Sequence, residues 1–142
     1  MSKIAIVYWS GTGNTESMAD AVEAGAKASG AEVIRFSSSE FNSDKASEFD
    51  AIAFGCPAMG AEVLEESEFD PMFTDLEQKG VLSGKKIGLF GSYGWGDGEW
   101  MRNWEADCKA AGAEMPADFV ICNDAPDADA VEACKALGAA LA

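Results

Sequence analysis

A chain of 142 residues with 48% hydrophobic content has room for one domain around one core and is too apolar to be disordered. Its 25 Asp and Glu against 10 Lys and Arg give a net charge of −15, which repels nucleic acid and anionic membranes and attracts basic partners over a distance. There is no histidine and no C-x-x-C pairing among Cys56, Cys108, Cys122 and Cys134, so structural zinc, a Ser-His-Asp triad and a Cys-His pair are excluded.

Strand and helix signals alternate along the chain. Ile4 to Tyr8 is a continuous apolar run, as in a parallel strand buried on both faces. A Gly/Ser/Thr turn leads into a helix with Met18, Ala19, Val22 and Ala26 at helical spacing, ended by Ser29-Gly30. Glu32 to Phe36 reads as a shorter strand near an edge, and Ser37 to Ser47 as irregular chain with a helical turn or two. Ala51 to Gly55 is a second buried strand, and Phe69, Met72, Phe73 and Leu76 mark a helix stopped near Gly80. Lys86 to Phe90 is a strand followed by a glycine-rich loop. Trp100, Met101, Trp104, Cys108 and Ala111 form a core-facing helical stripe closed by Gly112. Phe119 to Cys122 is the last strand, and Asp127 or Asp129 caps a final helix carrying Val131, Cys134, Leu137 and Leu141.

Five strands alternating with helices in so short a chain predict an α/β fold, a doubly wound parallel sheet with right-handed crossovers and helices on both faces. The whole chain, 1–142, is expected to be one domain. No apolar run reaches the roughly 18–20 residues that cross a bilayer. Met1-Ser2-Lys3 lacks the apolar stretch of a signal peptide, so a soluble, cytoplasmic protein with reduced, buried thiols is expected. In such a sheet a ligand sits beyond the carboxyl ends of the strands. The loops 9–15, 56–62 and 91–98 leave those ends with unusual compositions, and are expected to converge.

In the first loop, Ser10-Gly11-Thr12-Gly13-Asn14-Thr15, the glycines let backbone amides curl around an anion at the positive end of a helix. Ser10, Thr12, Asn14 and Thr15 add neutral donors. No basic residue lies between Lys3 and Lys27, so the lysine-dependent polyphosphate loop is absent. The dinucleotide pattern G-x-G-x-x-G is met at Gly11 and Gly13 and fails at Glu16, a carboxylate that disfavours a pyrophosphate. A single phosphate held by hydrogen bonds fits best. Among the glycines 91, 94, 96 and 98, Trp95 offers a broad face to a flat ring, a stack worth roughly 1–3 kcal/mol.

Three stretches together resemble the flavodoxin family in its short-chain form: Tyr8 to Glu16, Gly55-Cys56-Pro57-Ala58-Met59-Gly60, and Gly91 to Gly98. The resemblance spans nearly the whole chain and implies the strand order 2-1-3-4-5 and one non-covalently bound FMN. It implies that Ser10, Thr12, Asn14 and Thr15, with the backbone of Gly11 and Gly13, hold the FMN phosphate. Pro57, Ala58, Met59, Gly60 and Glu62 on one side, and Ser92, Tyr93, Gly94, Trp95 and Gly96 on the other, then surround the flavin ring. Trp95 stacks on one face, Met59 covers the other, and Glu62 accepts from N3–H. Several short-chain members carry an acidic residue where this chain has Ala61, a departure that bears on redox tuning and leaves FMN binding intact.

The implied function is a low-potential one-electron carrier between oxidoreductases, a monomer docking redox partners that have basic surfaces, whether flavin or iron–sulfur proteins. From Ala46 to Gln78 there are nine acidic residues and no basic one. Each charge about 10 Å from an anionic reduced ring costs roughly 0.4–1.7 kcal/mol, or about 20–70 mV. An FMN-dependent NAD(P)H:quinone reductase is the alternative on the same scaffold; it needs room above the ring that Trp95 and Met59 would fill. A phosphorylated signalling receiver needs carboxylates where Tyr8-Trp9 and Gly55-Cys56 stand. In the family the peptide at the Met59–Gly60 position flips to offer a carbonyl to the singly reduced ring. Gly60→Ala, which adds about 1 kcal/mol at positive φ, is therefore expected to move each one-electron potential about 40 mV toward the other and so to narrow the gap between them by roughly 90 mV in an anaerobic redox titration.

Overall fold

The computed structural model describes residues 2–11, 13–58, 64–94 and 98–142. Five parallel strands, β1 (Lys3–Tyr8), β2 (Glu32–Ser37), β3 (Ala51–Gly55), β4 (Lys86–Tyr93) and β5 (Val120–Asn123), form one sheet in the order β2-β1-β3-β4-β5. The helices are α1 (Asn14–Ala28), the single turn α2 (Ser43–Ala46), α3 (Phe69–Gln78), α4 (Glu99–Ala110) and α5 (Ala128–Leu141).

Burial on both faces of the sheet follows from the period-two geometry of apolar strands. Ile4, Ile6, Ala51, Ala53 and Phe90 turn toward α1 and α5, while Ala5, Val7, Ile52, Phe54, Ile87 and Leu89 turn toward α3 and α4. On the second side Phe54, Phe73 and Trp104 meet edge to face or tilted, with centroids 5.2–6.4 Å apart. Trp100 and Trp104 are both buried, as their place on the helical stripe predicts. All four cysteines are free and buried, and burial pushes the thiols of Cys56, Cys108 and Cys134 up to about 12. Such thiols stay protonated and inert.

Helix ends fall where the punctuation places them. Gly30, at φ 90°, bonds Lys27, and the next amide reaches back to Ala26, closing α1 in the left-handed manner that glycine permits; Gly112 closes α4 in the same way. The Asp127 carboxylate caps α5 by accepting the Ala130 amide at 2.8 Å. The stretch after β2 resolves into a 3-10 turn, Ser38–Glu40, and α2. The Lys85 ammonium covers the open end of α2 by donating to the carbonyls of Ala46 and Phe49 at 2.8 and 2.7 Å.

The principal departure from expectation is β4, which continues past Phe90 to Tyr93. The cause is stagger. β5 pairs only with the distal half of β4, from Phe90↔Val120 to Tyr93↔Asn123, and that ladder keeps Gly91, Ser92 and Tyr93 extended. The expected glycine-rich loop therefore begins later, and its first residues are held by the sheet.

α1 and α5 pack in near contact through paired glycines. A Cβ on Gly25 would lie 2.0 Å from the Lys135 carbonyl oxygen, and one on Gly138 would lie 2.1 Å from that of Val22. Both contacts are with backbone, which cannot swing away. Gly138→Ala is expected to destabilise the apoprotein by about 3 kcal/mol through forced separation of the helices, read as a lower urea midpoint. An unchanged midpoint would show that the helices part freely.

Candidate functional site

The hydrogen-bond ladder of the sheet continues beyond the carboxyl ends of its strands. The Trp9 amide donates to Gly55 at 3.0 Å, the Cys56 amide to Phe90 at 3.2 Å, and the Ala58 amide to Ser92 at 3.1 Å. These bonds hold the loops after β1, β3 and β4 side by side. A cavity of about 270 Å³ opens between them, lined by Trp9, Gly11, Asn14, Pro57, Ala58, Ser92, Tyr93, Gly94 and Asp124. The expected convergence of three loops is thus present in their described residues.

At one end of this cavity lies the phosphate-type turn. The Ser10 hydroxyl oxygen accepts the amides of Gly13 at 3.1 Å and Glu16 at 3.4 Å. An oxygen that accepts two amides still has its own proton to donate. Gly13, at φ 94°, is the N-cap of α1, so Asn14 and Thr15 are in the first turn, where amides have no intrahelical acceptor. Spare donors at the positive end of a fifteen-residue helix suit an anion. With an adjoining slot walled by Trp9, Pro57, Ala58 and Tyr93, the residues present fit a flat ring carrying one phosphate.

A second cavity of about 440 Å³ shares Trp9 and Gly11 with the first and is lined by Tyr8, Ser10, Gly13, Glu16, Ser37, Ser38 and Glu68. The sequence-expected residues therefore divide. Gly11, Asn14, Pro57, Ala58, Ser92, Tyr93 and Gly94 line the first cavity, while Ser10 and Gly13 line the second. Thr15 is buried in the first turn of α1 and lines neither. Thr12, Met59, Gly60, Glu62, Trp95 and Gly96 lie outside the described residues.

Sequence reasoning missed three contributors. Trp9 lies against Gly11, with ring atoms 3.0 and 3.2 Å from where a Cβ would stand. Asp124 enters from the end of β5 at φ 57°, a conformation that Asp tolerates better than most residues; its amide bonds Tyr93 at 2.8 Å, and its carbonyl accepts the Ser92 hydroxyl. The turn-forming run Asn123-Asp124-Ala125-Pro126 at a strand's carboxyl end was the available signal.

The third contributor is a clasp at the base of the segment between β3 and α3. The Glu65 amide bonds the Cys56 sulfur at 3.3 Å. Its buried carboxylate accepts the amides of Ser67, Glu68 and Phe69 at 2.8, 2.8 and 3.0 Å, and also the Ser67 hydroxyl. This is an N-cap for α3 supplied from outside the cap position. Burial pushes the Glu65 carboxyl up, but the hydrogen bonds from Ser67, Phe69 and Glu68 outweigh it and hold the group at about 2. On the neighbouring strand, a Cβ at Gly91 would lie 2.3 Å from the Cys56 carbonyl oxygen. That oxygen accepts the Trp100 indole N–H at 3.1 Å.

A parallel sheet of this strand order, with an anion-binding turn after its first strand and a ring-sized slot beside it, defines a doubly wound mononucleotide-binding protein. The sequence signature of the family described as "Flavodoxin" matches residues 6–138. The chain is similar to flavodoxin from Megasphaera elsdenii, with 51% identity over 139 residues and 98% of each chain covered. It is similar also to that of Clostridium beijerinckii, at 45% over 137 residues, 96% of this chain and 97% of the other. The solution structure of two-electron reduced Megasphaera elsdenii flavodoxin superposes with a TM-score of 0.88 over 97% of both chains. This chain belongs to the flavodoxin family. It is accordingly an FMN-binding electron-transfer protein and not an enzyme, and these relatives do not favour the quinone-reductase alternative.

The low-lying Glu65 carboxyl has a pH consequence. A carboxyl held below its unfolded value of 4.5 contributes stability that is complete above pH 4.5 and is lost as pH falls from there through about 2. Glu65→Gln is expected to cost about 1–3 kcal/mol at neutral pH and to flatten the loss of stability on acidification, both read from urea unfolding across pH. A variant with the parent's acid slope would show that other carboxyls carry it.

Proposed function

We propose that the described parts of the three loops hold FMN in a divided manner, the turn at Ser10 to Thr15 taking the phosphate and the slot between Trp9, Pro57–Ala58 and Ser92–Gly94 taking the ring. FMN, when bound, supplies one-electron redox chemistry. The observation that carries this reading is the juxtaposition of a donor-rich, cation-free turn with an apolar slot of about 270 Å³. The Ser10 hydroxyl donates to the phosphate while its lone pairs keep the turn closed. Met59 and Trp95 cover the two ring faces, Gly60 permits the local backbone change, Glu62 accepts from N3–H, and Thr12 and Gly96 complete their loops, in the roles that the family resemblance implies.

The chain works as one domain and as a monomer in the cytoplasm, and its partners are oxidoreductases that present basic surfaces. The sign of the charge supports this. At −15 two copies repel one another, whereas a basic patch is steered toward the acidic rim. Part of the acidic run at 46–78 has other duties: Glu65 is turned inward, Asp50 accepts the Lys3 amide at 2.8 Å, and Asp75 pairs with Lys79 at 3.3 Å. The remainder is available for docking and for disfavouring negative charge on the ring.

Purified protein is expected to show flavin absorption bands. Colourless protein that neither takes up added FMN nor quenches its fluorescence would overturn the reading. Ser10→Ala is expected to weaken FMN binding about tenfold or more, as befits one hydrogen bond to a charged group. It should leave riboflavin, which lacks the phosphate, unaffected; equal losses for both would mean that Ser10 only shapes the turn.

A further inference from the structure

The two cavities that meet at Trp9 and Gly11 differ in charge. The ring slot has one carboxylate among its lining residues, Asp124. The larger polar cavity, next to Ser10 and Gly13, has Glu16 and Glu68 in its walls and no Lys or Arg among its lining residues. At about 440 Å³ it is open space beside the phosphate turn, into which a longer phosphate ester would extend. Bulk alone therefore does not close that direction.

The Glu16 carboxylate and the Glu68 backbone are each held in place. Glu16 occupies the position that is the third glycine in the dinucleotide pattern, and its carboxylate accepts the Tyr8 hydroxyl at 3.2 Å. A nearby guanidinium, Arg35, lies over the Tyr8 ring at 5.0 Å from the centroid. It is itself engaged by Asp20 and by Glu23 at 3.2 Å, so its charge is already balanced. Glu68 is fixed at the start of α3, where its amide bonds the Glu65 carboxylate at 2.8 Å.

We propose that Glu16 and Glu68 are specificity residues that select a flavin mononucleotide over a flavin dinucleotide, by placing negative charge where a second phosphate would have to pass. The inference rests on the FMN reading and goes beyond it. A monophosphate ends at the turn, where spare amide and hydroxyl donors meet it; a diphosphate continues into a cavity that offers carboxylates and no cation. Discrimination is electrostatic, so it weakens as salt screens charges at distances near the Debye length of about 8–10 Å.

The test is fluorescence-quench titration of the apoprotein with FMN and with FAD, at low and high ionic strength, for the parent and for Glu16→Gln/Glu68→Gln. The expected result is that the preference for FMN over FAD falls about tenfold in the double variant, the size expected for two partly screened charges. In the parent, raising the salt should narrow the preference, and in the double variant it should not. A preference that is the same in both proteins and at both ionic strengths would overturn the proposal and assign selection to shape. If the double variant does not fold, Glu68→Gln alone, at an exposed position, is expected to give part of the shift, and the salt series on the parent stands by itself. A parent protein that binds neither flavin would refute the FMN reading, and the proposal with it.

Discussion

The carbonyl of Cys56 is where the site is fastened to the fold. It accepts the indole N–H of Trp100 at 3.1 Å and occupies the space above Gly91 that any side chain would claim. The same residue donates its amide to Phe90 and takes the Glu65 amide on its sulfur. Four elements therefore meet at one peptide: the end of β3, the distal half of β4, the first turn of α4 and the approach to α3. Gly91 is required because the strands carry the Cys56 carbonyl so close, and Trp100 is required because a buried carbonyl without a donor would cost about 1–3 kcal/mol.

From this fixed point the arrangement of the loops follows. With β3 and β4 held in register through Gly55↔Phe90, the next ladder bonds, to Phe90 and Ser92, extend the sheet one step at a time into what would otherwise be loop. β5 adds its own short ladder and brings Asp124 to the rim. The turn at Ser10 is tied in by the Trp9 amide on Gly55. Those of the slot's described walls that continue strands, at Trp9, Pro57–Ala58 and Ser92–Tyr93, need little ordering on binding. The entropy cost of shaping them is met by folding.

Much of this was legible in the sequence and some was not, and the division has a physical cause. β3 was read at its observed bounds because five apolar residues between Asp50 and the Cys56-Pro57 break carry their own signal, and α1, α4 and the Asp127 cap follow from local periodicity and capping chemistry. β4 was read short because Gly91, Ser92 and Tyr93 have turn-like composition, while what keeps them extended is β5, some thirty positions away. The glycines of the site were visible as glycines, but their reasons were not: that of Gly91 is a carbonyl on another strand, and that of Gly25 is one on another helix. Glu65 was counted within an acidic run, and nothing in composition distinguishes a buried cap from a solvated charge. Trp9 lay within a loop expected at the site without a role of its own, and Asp124 was marked only by the turn-forming run 123–126.

The clasp at Cys56 and Glu65 also bears on how an electron carrier can change state without changing shape. Cys56 follows β3, Glu65 precedes α3, and the two are bonded to each other. On the far side the Glu65 carboxylate, held at about 2, stays ionised throughout the neutral range and keeps three amides leading into α3, those of Ser67, Glu68 and Phe69, engaged. The described ends of the connection are thus fixed to each other and to the elements they adjoin. Transfer of one electron is favoured when little of the protein reorganises, and ends tied to a sheet and to a capped helix serve that requirement.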